Sequence, residues 1–459
     1  MLKYDLSSFK REFSEYTELR VQENRSTNIT LVNGNVMGNS TSVKSGVSAR
    51  VNKNGNWGFA SNPVISDESI EKVILAATEN ATFLGSKQIK NNMKFDSRPS
   101  EAEKSFYSEK PNTGTKEKIS FLKNLDDYIA GKYPDLTSRT LVISGFEMEK
   151  NIITSDGSNS YSMNPKYHIY AVLSKAVNGE NYELFKIFGD RGQFEDVFSS
   201  PEDLYEDIDG AYRNLIEKTN GVYAEAGLKD VILDANVSGI LAHEAIGHTT
   251  EADLVQGGSV AGDLLSKDIA SPLITLIDFA HTYNEKTCPV PVYIDDEGTE
   301  AEDAVIIDRG ILKGYMHNKE SALHFGHKLT GNARAFDFSD EPLIRMRNTA
   351  ILPGSSKLED MIASIEDGYY LIQSGNGQAD ATSEFMFAIT MGYEIKNGKL
   401  GKAIKDTTIS GVAIDVLKSV TMVSDAMVWE CTGMCGKKQP MPVGAGGPAI
   451  KCKVNIGGK

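Results

Sequence analysis

The chain has 459 residues, 40% of them apolar and 24% charged, with a formal net charge of −15, a composition typical of a globular protein of two or three domains. Because we find no apolar run of about 18 residues and no apolar segment near Met1, we expect neither a membrane span nor a secretory signal, but a cytoplasmic protein. The acidic balance and the lack of a dense Lys/Arg block argue against direct binding of nucleic acid.

The first half of the sequence mixes strand and helix patterns. Alternating residues and Asn-Gly turn signals predict short strands, and apolar stripes at helical spacing predict helices. The predicted strands are Thr17–Val21, Ile29–Val32, Val47–Val51, Arg139–Phe146, Ile152–Ser155 and Asn159–Leu173. The predicted helices are Asp67–Ala81, Thr115–Ala130 and Pro201–Lys218, and a polar connection is expected over 84–115. Adjacent strands favour antiparallel pairing, so we predict an N-terminal mixed α/β domain over residues 1–220, with 1–110 and 111–220 as candidate subregions.

The second half, residues 221–459, is predicted to be a β-rich domain, which makes the whole chain α+β. An apolar helix is expected over Ser238–His248 and another over Leu358–Ile365. The predicted strands are Val231–Asp234, a hairpin of Ala304–Ile307 with Ile311–Met316, Gly368–Ser374, Phe385–Ile395, Val420–Val428 and Ala449–Val454.

The sharpest chemical signal is the segment His243-Glu244-Ala245-Ile246-Gly247-His248. Imidazole is the commonest ligand of zinc-like metals, and a Glu beside a ligand is suited to act as a base toward water. The spacing of the two His is i, i+5, which turns the second ring by about 140° on an ideal α-helix. We therefore expect the helix to be distorted, or to end, near Gly247 if both His bind one ion. A structural His pair on a buried helix is the competing interpretation.

A catalytic metal site of this kind needs a third protein ligand from elsewhere. Candidates are Glu251 and Asp253 nearby, and Cys431, Cys435 or another His at a distance. Cys435 lies between flexible glycines, and Lys437 would lower the pKa of its thiol. Cys431 and Cys435 also form a C-x-x-x-C pair, half of a structural zinc site. None of the four cysteines forms a disulfide-rich pattern, which favours a reducing compartment.

Several motifs in one order resemble the TldD branch of the TldD/PmbA metallopeptidases, a family also described as modulators of DNA gyrase. The similarity covers residues 221–459 well and the first half more loosely. Beyond the His243–His248 segment with Glu251 and Asp253, it includes Asp295–Thr299, Gly310–Met316, Thr330–Arg334, Met346–Thr349, Gly375–Gln378, Asp380, Thr382-Ser383 and Gly433–Pro448, and Gly46–Val51 with Gly55–Ala60. The segment Ile277–Pro291 departs from the family pattern, so the resemblance does not define substrate choice there.

The resemblance implies one divalent ion, zinc, held by His243, His248 and Cys435, with Glu244 as catalytic base. It implies hydrolysis of unfolded or short peptides with weak side-chain preference. It also implies a homodimer, or a heterodimer with a metal-free PmbA/TldE-type subunit. The alternative function is a non-catalytic scaffold or partner subunit of a peptidase complex.

The residues that would stabilise the oxyanion or bind substrate are less defined. Asn332, Arg334 and N–H groups near Gly444 are candidates. For Arg334 an ordinary surface ion pair is the preferred alternative. Glu251 either orients one of the two His or is a solvated carboxylate at a helix end.

Overall fold

The structure of the chain is a computed structural model that describes residues 4–87, 95–431 and 433–458. Helices and several sheets alternate along it, which confirms the predicted α+β class. The predicted connection over 84–115 falls partly outside these ranges. Within them it contains a short, largely exposed strand, which the sequence analysis did not predict. Among the residues described, no helix combines the length and apolarity needed to cross a membrane.

The N-terminal part is one large sheet flanked by helices. Its strands are Tyr16–Val32 (β1), Asn35–Lys53 (β2), Asn56–Asn62 (β3), Glu101–Ser105 (β4), Ser138–Thr154 (β5), Asn159–Val177 (β6) and Glu180–Arg191 (β7). Its helices are Asp67–Lys87 (α1), Thr115–Lys132 (α2), Phe194–Val197 (α3) and Tyr205–Thr219 (α4), with short 3₁₀ helices at Ser7–Glu12 and Pro201–Leu204. The strand order is β3-β2-β1-β5-β6-β4, with β7 also paired to β6. The β4–β6 pair is parallel, and the other pairs between described strands of this sheet are antiparallel.

The strands are longer than the sequence pattern predicted. β1 runs antiparallel to β5 without a break from Glu18 to Val32, across polar residues that we expected to interrupt it. Two of these polar side chains are buried and hydrogen-bonded to the second half of the chain: Gln22 and Asn24 donate to the carbonyl of Phe336 at 2.7 Å and 2.6 Å. These polar side chains therefore form hydrogen bonds between the two halves of the chain, and they do not indicate a turn.

Two apolar clusters hold the helices against this sheet. The predicted stripe Ile70, Val73, Ile74 and Ala77 of α1 is buried against β1 and β2. The second cluster joins α2 and α4 to β5, β6 and β7. Strands from 1–110 and from 111–220 belong to the same sheet.

The C-terminal part consists of two larger sheets and many short segments. Its helices are Ala235–Leu241 (α5), Ala252–Gln256 (α6), Lys319–Phe325 (α7), Leu358–Ala363 (α8) and Ala413–Lys418 (α9). Its strands are Gly227–Leu233 (β8), Leu276–Phe279 (β9), Thr282–Tyr283 (β10), Lys286–Thr287 (β11), Ala304–Asp308 (β12), Ile311–Leu312 (β13), Ala333–Arg334 (β14), Leu343–Ile344 (β15), Asn348–Ile351 (β16), Asp367–Ala379 (β17), Glu384–Lys396 (β18), Lys399–Ala403 (β19), Thr407–Val412 (β20), Met422–Val423 (β21), Val428–Glu430 (β22), Met434–Cys435 (β23), Met441–Pro442 (β24), Gly444–Gly447 (β25) and Ile450–Gly457 (β26).

One sheet has the order β13-β12-β9-β16-β25-β22. In the other, β17, β8, β26, β20 and β18 pair in turn and β18 pairs back to β17, so the ladder closes on itself. Helix α5 contacts strands of both sheets. The predicted hairpin at Ala304–Ile307 is confirmed with a shorter second strand. The predicted strand Val420–Val428 was wrong, because it divides into β21 and β22 of different sheets.

Ion pairs join the two halves of the chain. Lys150 on β5 lies 2.6 Å from Asp296, and Lys319 at the start of α7 lies 2.7 Å from Asp156. Helix α4 ends at Thr219 and β8 begins at Gly227, and we retain residue 220 as the proposed domain boundary.

Candidate metal centre

The motif helix changes its winding where the two His stand. The α-helical turns of α5 give way to a π-helix over Ala242–Gly247, followed by a 3₁₀ turn at His248–Thr250. A π-helix bonds i to i+5, so residues five apart come to the same side. The ring centroids of His243 and His248 are 5.3 Å apart. The predicted distortion of the helix is therefore present, in the form of a wider turn.

Gly247 has a different role from the one predicted. Its backbone is ordinary right-handed helix, with φ −53° and ψ −55°, so the turn needs no special freedom there. A Cβ at this position would lie only 2.1 Å from the sulfur of buried Met346. Glycine is required because the helix and Met346 approach each other so closely.

Cys435 comes to the two His from the other end of the domain. It lies on β23, which pairs with β24 in a small hairpin, and its carbonyl accepts a 2.7 Å hydrogen bond from buried Arg345. Its Sγ is 3.3 Å from Nε2 of His248. One donor atom from each of His243, His248 and Cys435 lies within 4.8 Å of the other two. Cys431 points elsewhere, with its Sγ 3.6 Å from Nε2 of His168.

The protonation states of Cys435 and His248 and the unbonded ring nitrogens of His243 suit the binding of a metal ion. Both ring nitrogens of buried His243 are without a hydrogen-bond partner among the described residues. Burial would raise the pKa of Cys435, but the neighbouring His243 and His248 lower it to about 3. Burial opposes a charge on His248, yet its contacts with Cys435 and Glu251 raise its pKa to about 10. Two imidazoles and a thiolate are a donor set suited to zinc.

Glu251 contacts the ring nitrogen of His248 that points away from Cys435. Its fully buried carboxylate lies 2.9 Å from Nδ1 of His248, which leaves Nε2 to face Cys435. Lys437 lies 3.2 Å from the same carboxylate oxygen and 3.0 Å from Asp253. The interpretation of Glu251 as a solvated carboxylate was wrong, and Asp253 is joined to the centre only through Lys437.

Glu244 lies on the open side of the centre. Its side chain is about a third exposed, at 32%, and its Oε2 is 3.7 Å from Nε2 of His248. A carboxylate in this place is accessible to solvent water and close to the donor atoms, which is the position that a general base requires.

Asn332 is inside the protein. Its amide donates to Asp278 at 2.8 Å and to the carbonyl of Arg345 at 3.0 Å, and the residue has no exposed surface. It belongs to a buried network in which Asp278 also holds Arg347. Contact of Asn332 with substrate remains an untested prediction, which this burial disfavours.

Arg334 is buried as well, so its interpretation as a surface ion pair was wrong. Its Nη1 donates to the carbonyl of Met346 at 2.6 Å. Burial lowers its pKa to about 10, and the charge of Arg345 acts in the same direction. Arg334 lines a cavity between the two halves of the chain, and Asn332 does not line it.

Sequence reasoning missed the residues that anchor the centre. Arg345 holds the Cys435 hairpin through three backbone carbonyls, those of Cys435, Lys437 and Gln439. A signal was present, because Arg345 and Arg347 alternate with apolar residues in a segment otherwise typical of a buried strand. Fully buried arginines of this kind need acceptors on all sides.

Two family models match the chain. One is described as the PmbA/TldA metallopeptidase C-terminal domain and matches residues 226–458, and the other, PmbA/TldA metallopeptidase domain 1, matches residues 17–81. The chain belongs to the PmbA/TldD metallopeptidase family. The resemblance to its TldD branch is thereby confirmed.

Relatives in this family are named as metalloproteases. A metalloprotease TldD homolog from Buchnera aphidicola is 41% identical over 51% of this chain and 49% of its own length, so that match spans about half of the relative. A zinc metalloprotease TldD homolog from Saccharolobus solfataricus is 30% identical over 91% of this chain and 90% of its own length. The crystal structure of TldE from Thermococcus kodakarensis has the same fold, with a TM-score of 0.76 at 19% identity and 99% of both chains covered.

Proposed function

We propose that the chain is a zinc-dependent peptidase whose metal is held by His243, His248 and Cys435 and whose catalytic base is Glu244. The observation that carries the proposal is the convergence of three donor atoms within 4.8 Å, from a π-turn and from a hairpin far along the chain. The naming of relatives as metalloproteases, one of them a zinc enzyme, supports the same reaction.

Each residue of the centre has a separate task. When bound, zinc would supply a Lewis acid that polarises a scissile carbonyl and makes water more acidic. Glu244 stands outside the ligand trio, where it would accept a proton from the attacking water and return it to the leaving amine. Glu251 holds His248 in the tautomer that presents Nε2 to the centre, and Lys437 neutralises the buried carboxylate.

The substrate that suits this surface is an extended peptide. Strand β22 is at the edge of its sheet, and helix α5, which leads directly into the π-turn of the motif, contacts it. A peptide added to a sheet edge is held by main-chain hydrogen bonds, so side chains contribute little to recognition. This supports unfolded or short peptides as substrates, with weak side-chain preference.

A dimer is part of the proposal. Strand β3 pairs only with Val47–Lys53 of β2, so the outer edge of β2 before Val47 has no partner strand among the described residues. Val36, Met37 and Val43 on this stretch are exposed. An open edge with apolar side chains favours pairing with another chain. The second chain is a copy of this one or a metal-free subunit of the TldE type, and native mass spectrometry with and without such a subunit distinguishes them.

The decisive experiment compares wild type with Glu244→Gln and with Glu79→Gln, a matched change at an exposed glutamate of α1. Zinc content is measured by elemental analysis and cleavage by mass spectrometry of unfolded casein. We expect wild type and Glu79→Gln to bind one zinc and cleave, and Glu244→Gln to bind zinc without cleaving. Equal cleavage by Glu244→Gln would reject the base, whereas failure of wild type to take up zinc would favour the scaffold.

A further inference from the structure

A cavity of about 80 Å³ lies between the N-terminal sheet and the C-terminal loops. Its floor is formed by β5 and β6, and its opposite wall by the segment 289–296 and Pro442. Pro442 pairs with Met434, the neighbour of Cys435, so the cavity borders the hairpin that carries the thiolate. Since a water needs roughly 10–15 Å³ on this measure, the space holds a group of carboxylate size with room for solvent.

Besides exposed Lys104, which lies over the ring of Tyr293, three cationic side chains border this cavity without a carboxylate partner among the described residues. Lys166, Arg191 and Arg334 each have no acidic oxygen within 4.0 Å among the described residues. The ammonium of Lys166 lies 3.9 Å from the thioether sulfur of Met434. The guanidinium of Arg191 stacks on the ring of Phe106, and its buried Nε has no acceptor. Unpaired cations turned toward a small cavity are costly unless an anion enters it.

The two acidic residues that also line the cavity do not supply that anion. The carboxylate of Asp296 is occupied by Lys150 at 2.6 Å and by the backbone N–H of Ala335 at 2.6 Å. The carboxylate of Asp295 accepts from the backbone of Glu297, Thr299 and Ala333. Both carboxylates are engaged in bonds within the protein, so the charged side chains that face the open part of the cavity are cationic.

The chain as a whole makes this concentration of positive charge unusual, because its formal net charge is −15. Burial lowers the pKa of Lys166 to about 8, and the charge of Arg334 acts in the same direction. Arg334 therefore disfavours the charge of Lys166, whereas Cys431 and Glu430 favour it, and a bound anion would relieve the repulsion between the two cations.

We propose that Lys166, Arg191 and Arg334 form a binding site for a carboxylate of the peptide substrate. This inference rests on the proposed peptidase function, and it adds a charge preference to a main-chain mode of binding that would otherwise be indifferent to side chains. The carboxylate comes either from the C-terminus of the peptide or from an Asp or Glu side chain. Both present the same planar pair of oxygens to the guanidinium groups.

The test measures binding apart from cleavage. Dansyl-labelled hexapeptides built on Ala-Ala-Phe-Ala-Ala-Ala are titrated against the zinc-loaded Glu244→Gln protein and followed by fluorescence anisotropy. One pair differs only in a free or an amidated C-terminus. A second set is amidated throughout and carries one Glu or one Gln at each position in turn. The variants are Lys166→Met and Arg191→Met, with Lys123→Met on the exposed face of α2 as the matched control.

We expect the free carboxylate, or Glu at one position, to tighten binding roughly 10- to 100-fold over its neutral partner, the range of charge-assisted hydrogen bonds. Lys166→Met and Arg191→Met should reduce this ratio toward one, and Lys123→Met should keep it. Tighter binding of the free acid than of the amide in the first pair assigns the site to the C-terminus of the peptide. Tighter binding of a Glu peptide than of its Gln partner in the second set assigns it to a side chain. Lys166→Glu should reverse the preference toward a Lys-containing peptide, a gain that misfolding would not produce.

Equal dissociation constants within every pair, or no measurable binding of any peptide, would overturn the carboxylate site. The outcome is separable from that of the peptidase proposal. Cleavage of neutral and acidic peptides with equal efficiency would reject the site and keep the activity. A preference for carboxylates in a protein that cleaves nothing would keep the site and reject the activity.

Discussion

The Nδ1 atom of His248 lies 2.9 Å from Oε2 of Glu251, a carboxylate that has no exposed surface. The pair fixes which ring nitrogen of His248 faces Cys435. A ligand held in this way needs no reorganisation when a metal arrives, so the affinity of the centre depends on a residue that does not touch the ion.

Glu251→Gln should weaken zinc binding by about 10- to 100-fold, because an amide orients the imidazole less strongly and does not raise its basicity. The measurement is competition with a chromogenic chelator at fixed pH. Asp253→Asn is the control, since Asp253 also contacts Lys437 but not the histidine. Identical zinc affinities for Glu251→Gln and wild type would contradict the role of Glu251.

Gly247→Ala should destabilise the protein by roughly 1–3 kcal/mol, because the new methyl group collides with the sulfur of Met346 at 2.1 Å. Urea denaturation measures the change. Combining it with Met346→Ala should recover part of the loss relative to the sum of the two single changes, since the collision is then removed. Strict additivity of the two substitutions would show that the clash is not the cause.

Arg347→Met should cost about 3–5 kcal/mol of folding stability, because it leaves the carboxylate of Asp278 buried and unpaired. Arg347 lies 2.8 Å from Asp278, neither side chain is exposed, and four further bonds run to backbone carbonyls. The comparison is Lys72→Met, which breaks the pair with Glu68 and should change stability little, because a solvent-exposed ion pair contributes little. Similar losses for the two variants, in denaturant titrations, would refute the assignment.

His168 should make stability fall as the pH drops below about 6.5. Burial, assisted by the charge of Lys166, lowers its pKa to about 3, so the folded protein keeps the ring neutral while the unfolded chain binds a proton. Folding stability from this residue is complete above pH 6.5 and is lost progressively down to pH 3. At pH 5 the loss is about 2 kcal/mol.

The check on His168 compares unfolding free energies of wild type and His168→Gln at pH 7.5 and pH 5. The advantage of wild type over the variant should shrink by about 2 kcal/mol between the two conditions, because glutamine does not titrate. A constant difference across this range would mean that the histidine is not held neutral.

Much of the candidate centre was predictable because its chemistry is concentrated in rare residues. His243 and His248 stood out in a chain with 7 His, and their i, i+5 spacing required a distorted helix if both bind one ion. Cys435 was one of several candidates for the third ligand, and the family resemblance selected it. The burial of Arg334 and Asn332 was not predictable, because nothing local distinguishes an arginine that is buried by distant segments from one at the surface. Contacts between sequence-distant elements decide that.

The fold shows the same division. Helix α1 followed from its apolar stripe, and the turn at Asn33-Gly34 was correct, with both residues at positive φ. The length of β1 was missed because the polar side chains of Gln22 and Asn24 suggested a break in the strand. Both in fact donate to the carbonyl of Phe336, which is more than 300 residues away in the sequence. Strand β4 was missed because four of its five residues are polar and exposed, and a parallel partner supplies its hydrogen bonds.

The separation of the donor residues along the chain has a consequence for biosynthesis. His243 and His248 leave the ribosome 187 or more residues before Cys435, and Arg345, which holds the Cys435 hairpin, also precedes it. The three proposed ligands cannot come together before Cys435 has been synthesised. Until then a growing chain would have no complete metal centre, so it could not cleave its own unfolded segments or those of other chains translated from the same messenger RNA.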